Sequence, residues 1–162
     1  MIFGVVGTHE ARMDRLVRTL DGWAATHPDE TVVLQAGSAA GEVRHATAVA
    51  YASEEQIQQW LNEADFVVTH GGPSLLLALV DRGKRPIVMP RERRYGEHVD
   101  DHQVAFARFL AGRHLIVLVR TPAELLRALE HPEAAQGDAT PLPPVDLPAT
   151  IARFEKLVGG LF

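Results

Sequence analysis

The chain has 162 residues, 46% of them hydrophobic and 23% charged, which suits one α/β domain around a single core. A net charge of −5 leaves no global basic field, so no nucleic-acid partner is expected, and the absence of cysteine removes both a disulfide framework and a thiol nucleophile. No apolar run approaches the roughly 20 residues that a spanning helix needs, and the opening MIFGVVGTHEARMDR has no basic n-region or cleavage signal, so neither a membrane span nor a signal peptide is expected.

MIFGVVG is a short apolar run rich in β-branched residues and predicts a strand. In MDRLVRTLDGWAATH, Met13, Leu16, Val17, Leu20 and Trp23 or Ala24 recur on one face, the spacing of an amphipathic helix. TVVLQAG and ATAVAYA predict the second and third strands. Ser53 with Gln56 three residues later is a capping-box pattern, opening the helix EEQIQQWLNEA. DFVVTH predicts the fourth strand. SLLLALVDRG predicts a helix capped by Ser74 and stopped by Gly83. RPIVMP is the fifth strand, HVDDHQVAFARFLAGR a helix, LIVLV the sixth strand, and PAELLRALE a helix with Pro122 in its first turn. Residues 133–150 are rich in Pro and Ala and read as an arm, and 151–162 has helical spacing suited to docking. The expected organisation is therefore a domain over 1–132 followed by an arm and C-terminal helix over 133–162. Strands alternating with helices predict a parallel sheet covered on both faces, a Rossmann-like α/β domain.

Three segments follow strands at the same sheet edge: GTHE after the first, THGGPS after the fourth and PRERRYGEHVDDHQ after the fifth. Open α/β sheets bind ligands at that edge. Gly71 and Gly72 allow close backbone approach to a ligand, and the helix start at Ser74 offers free N–H groups and a dipole to a phosphate. Arg91 is expected to face the cleft, and Arg93 and Arg94 to form a surface for a partner or anionic lipid. His98 and His102 have metal-ligand spacing, with Asp101 adjacent, so a metal hydrolase is a rival class. HVDDH lacks the glutamate of HExxH, however, and the sequence places no third ligand, so no metal is expected. His9 is a base by position, or equally the cap of a turn; no other catalytic group is assigned.

The run ADFVVTHGGPS…GKRPIVMPRERRYGEHVDDHQVAFA resembles the C-terminal, nucleotide-sugar-binding half of the family 28 glycosyltransferases. MIFGVVGTHEARMDRLVRTLD is similar to the start of their bacterial exopolysaccharide subunits, which resemble the donor-binding subunit of eukaryotic N-glycan synthesis. The resemblance covers about residues 1–130. It implies one half of a GT-B enzyme, binding a UDP-sugar with neither metal nor other cofactor. The partner would be a membrane-associated subunit receiving a lipid-linked acceptor, and the reaction an inverting transfer of a hexose to a sugar on a polyprenyl diphosphate. The chain would then be cytoplasmic, held at the membrane through that partner and active only with it, with a homodimer as another assembly.

Residue by residue, the resemblance makes His70, Gly71, Gly72, Pro73 and Ser74 the diphosphate loop, and Gly7, Thr8 and His9 the first loop of the cleft. Glu97, His98, Asp101, His102 and Gln103 match an element that lies against the donor sugar, with Asp100 where an Asn is usual. Tyr51 and Ala52 fall where the backbone holds uracil. One departure stands out. Ala78 lies five residues before Gly83, where the family carries a glutamate for the ribose hydroxyls, and a methyl group accepts no hydrogen bond. The alternative is thus a non-catalytic relative that keeps the fold and serves as a binding partner.

Overall fold

The computed structural model describes residues 1–131. The expected arm and C-terminal helix, and with them the domain boundary at 132, lie outside the described residues.

Six parallel strands form one sheet: β1 (Ile2–Val5), β2 (Val32–Gln35), β3 (Thr47–Val49), β4 (Phe66–Thr69), β5 (Ile87–Val88) and β6 (Val117–Leu118), in the order β3-β2-β1-β4-β5-β6. The helices are α1 (Asp14–Thr26), α2 (Glu54–Glu63), α3 (Pro73–Asp81), α4 (His102–Ala111) and α5 (Pro122–Glu130). Side chains alternate across β1. Ile2 joins Leu16, Val17, Leu20, Leu125 and Leu129 on the face covered by α1 and α5. Phe3 and Val5 join Leu61 and Leu79 on the face covered by α2 and α3. A third cluster packs Leu76 and Val80 of α3 against Ala107 and Leu110 of α4 over Val88.

Local signals place several boundaries. Ser53 and Gln56 form the reciprocal capping box. Gly83, at φ 72°, ends α3: its N–H bonds the Val80 carbonyl at 2.9 Å, and that of Lys84 bonds the Leu79 carbonyl at 3.0 Å.

Three expectations change. The N-cap of α3 is Gly72, so Ser74 is already helical and caps nothing. α4 begins at His102 rather than His98, because Asp100 and Asp101 are held in the preceding loop by hydrogen bonds to neighbouring amides. β5 pairs over two residues only, although Met89 and Arg91 still donate to the Thr69 and His70 carbonyls at 2.9 and 3.1 Å. The chain thus runs alongside β4 beyond the ladder. Among the described residues, no helix is long and apolar enough to cross a membrane.

Candidate functional site

The strand order reverses direction between β1 and β4. α1 leaves β1 toward one face and α3 leaves β4 toward the other, so the two exits splay apart and leave a crevice. An open cleft of about 350 Å³ lies there. Val5, Gly7 and Thr8 form one wall, and His70 with Gly72 to Leu75 form another. Gln35, Tyr51, Ala52 and Ile57 close the side toward β2 and β3. Of the residues expected at the site, the cleft gathers Gly7, Thr8, Tyr51, His70, Gly72, Pro73 and Ser74. Tyr51 is exposed at its mouth. The amides of Ser74 and Leu75 belong to the first turn of α3 and have no intrahelical acceptors.

His70 sits between two glycines. A Cβ on Gly7 would come within 2.8 Å of its ring, and one on Gly72 within 2.6 Å of Nε2. Gly72 therefore makes room for His70, whatever a ligand needs. Gly71 has a reason of its own, a φ of 94° with the Pro90 Cα 3.3 Å from where its Cβ would stand. Burial, reinforced by the positive charge of Arg91, pushes the His70 pKa down to about 4. The imidazole is neutral at neutral pH. Its Nδ1 lies 3.3 Å from the Thr69 hydroxyl and 3.4 Å from the Val5 carbonyl.

The second half of the expected site is organised differently. Arg91 does not face the cleft. It is fully buried, and its guanidinium donates to the carbonyls of Val6 (2.8 Å), Ala11 (2.6 Å) and Glu97 (3.0 Å). Glu97 is buried too, its carboxylate taken by Arg15 at 2.8 and 2.6 Å and by the Glu92 amide at 3.0 Å. Gln103 Oε1 accepts the Arg91 amide at 3.3 Å, and Asp101 accepts that of Arg93 at 2.8 Å. These residues hold the loop after β5 against the loop after β1. Arg93 and Arg94 are exposed, with Arg94 paired at 2.8 Å to buried Glu92.

His9, His98 and His102 form a chain of rings, with centroids 4.8 and 4.7 Å apart, outside the lining of the cleft. Desolvation first, then the charge of Arg91, lowers the His9 pKa. The Ala11 amide donates to its Nδ1 at 3.0 Å, so the neutral ring carries its proton on Nε2. His9 could act as a base only after that bond breaks.

Sequence reasoning missed Gln35 and Arg15. Gln35 is buried and donates from Nε2 to the Gly7 and Ala50 carbonyls at 3.1 and 3.3 Å. Both partners are acceptors, which fixes the amide orientation and leaves Oε1 buried without a partner. The signal was present in TVVLQ, where a polar residue closes an otherwise apolar strand at the carboxyl edge of the sheet.

The family model for the glycosyltransferase family 28 C-terminal domain matches residues 1–138. The chain belongs to that family. Two solved GT-B glycosyltransferases share the fold of this family 28 domain. One is the glycotransferase of kitacinnamycin, with a TM-score of 0.59 and 22% identity over 97% of this chain and 38% of that one. The other is MurG of Acinetobacter baumannii, with a TM-score of 0.57 and 18% identity over 82% of this chain and 42% of that one. The family 28 domain described here therefore spans about two fifths of the length of either protein. No curated protein matches it.

Proposed function

We propose that this family 28 domain is the UDP-sugar-binding half of an inverting glycosyltransferase. The acceptor half would be a membrane-associated partner subunit carrying a sugar on a polyprenyl diphosphate. The observation that carries the reading is the cleft at the β1–β4 switch point, opening onto the free first-turn amides of α3. Those amides and the α3 dipole suit a diphosphate, and they stabilise the charge that grows on it as it leaves. Tyr51 supplies an aromatic face for the base at the opposite end. In the transfer, an acceptor hydroxyl attacks the anomeric carbon from the side opposite the phosphate. The carbon–oxygen bond to UDP breaks, and the hydroxyl proton passes to a base. With His9 Nδ1 occupied, that base belongs to the other half.

Exposed Ala78 favours a second reading, a relative that keeps the fold and only binds its partner. Ala78 follows Ser74 and Leu75 by one helical turn and offers no acceptor to a ribose. Calorimetry of the chain with UDP and UDP-sugars separates the two. Saturable UDP binding, abolished when the first turn of α3 is altered, is expected. No binding of any nucleoside diphosphate, with or without the partner, would overturn the donor role and leave the binding-partner reading.

A further inference from the structure

We propose that His98, Asp100 and His102 form a binding site for one divalent ion of the zinc class. Their ligand atoms all lie within 4.8 Å of one another. The Nδ1 atoms of both imidazoles converge on the same carboxylate oxygen, Asp100 Oδ1, at 3.4 Å from His98 and in hydrogen-bond contact from His102. A tetrahedral ion with ligands roughly 2.1 Å away spaces its ligand atoms about 3.4 Å apart, so small side-chain rotations bring all three onto one centre.

Two of the three ligands are already positioned. The His98 ring is only 14% exposed and packs against His9, with centroids 4.8 Å apart, and the Asp100 amide donates to its Nδ1 at 3.4 Å, a long bond that the ion would replace. The His102 amide donates to Asp100 Oδ1 at 3.1 Å and fixes that carboxylate over the start of α4. Among the described residues no arginine or lysine pairs with Asp100, so its charge faces two imidazoles alone. The adjacent Asp101 is committed to the Arg93 amide, which explains why the third ligand was not legible from spacing.

Two imidazoles and one carboxylate select zinc-like ions over magnesium or calcium, which take oxygen ligands. Asp100 and His102 are 57% and 48% exposed, so the ion would keep an open position for water or an oxygen ligand. The proposal is independent of the nucleotide-binding reading, because none of the three residues lines that cleft.

The test uses the untagged full-length chain, stripped with a chelator and titrated calorimetrically with Zn²⁺ and, separately, Mg²⁺. Co²⁺ serves as the spectroscopic stand-in. One equivalent of Zn²⁺, visible d–d bands with Co²⁺ and no Mg²⁺ binding are expected. Asp100→Asn and His102→Gln should each weaken Zn²⁺ binding at least tenfold, whereas His45→Gln, on an exposed and distant histidine, should not. If His102→Gln fails to fold, Asp100→Asn decides. The absence of a saturable Zn²⁺ site, or Zn²⁺ affinity unchanged in the folded variants, overturns the proposal.

Discussion

The His70 ring fills the volume that a side chain on Gly72 would need: a Cβ there would stand 2.6 Å from Nε2. Gly72 has an ordinary φ of −61°, so alanine is disallowed by the ring and not by the backbone. Gly72→Ala should therefore destabilise the domain by about 1–3 kcal/mol, the usual range for overpacking. His70→Ala in the same chain should recover most of that loss. Gly7→Ala should recover only in part, because Gly7 also has a φ of 74°. Denaturant melts of the three single and two double variants measure the coupling, and equal recovery at both positions would show that φ plays no part.

Stability should fall with acid through His70. Its folded pKa, depressed to about 4, lies below the unfolded value of 6.5. Between those values the unfolded chain binds the proton and the folded one does not, so stability rises with pH in that window. The contribution, on the order of 3 kcal/mol, is fully present above pH 6.5 and is lost as pH falls toward 4. Melts of wild type and His70→Asn from pH 7 to 4 check this; the variant should show the shallower slope.

Glu97→Ala should be severe. It leaves Arg15, itself only 12% exposed in its side chain, without its carboxylate partner. Breaking a buried pair in this way typically costs about 3–5 kcal/mol. The Arg15 guanidinium also donates to the Arg120 and Pro90 carbonyls at 2.7 and 3.0 Å, so the loops after β5 and β6 should loosen together. Proteolysis of the 91–101 segment in the variant would report that loosening, and an unchanged cleavage rate would count against it.

Two variants on the surface of α3 separate binding from folding. Ser74 is exposed and caps nothing, so Ser74→Ala should leave stability unchanged and report a phosphate contact alone. Ala78 is exposed as well, so Ala78→Glu should fold normally. A charge-assisted hydrogen bond of about 1.5–3 kcal/mol to the ribose would tighten UDP at least tenfold. A 2′,3′-dideoxy analogue should gain much less, and equal gains would remove ribose contact as the explanation.

The fold and the position of the cleft were legible because both are local or periodic properties. Alternating strand and helix patterns gave the parallel sheet, Ser53 and Gly83 marked helix ends, and the glycine-bearing turns fell at the carboxyl edge of the sheet, where the cleft lies. What was not legible depends on partners far away in sequence. Arg91 reads as a cleft-facing cation beside Pro90, yet its three acceptors are carbonyls, two of them in the β1 loop. Glu97 reads as a ligand group, yet Arg15 claims it from α1. Ser74 reads as an N-cap, yet the proline at position 73 already fits the first helical position and moves the cap to Gly72.

The buried Arg91 guanidinium, joining the carbonyls of Val6, Ala11 and Glu97, makes two chain-distant loops a single cooperative unit. Neither loop can open without stranding a charge that water does not reach. In native-state hydrogen exchange, amides of the β1 and β5 loops should share one opening free energy, well above that of the neighbouring exposed turns. A ligand that orders one loop then orders the other, even where it touches only one.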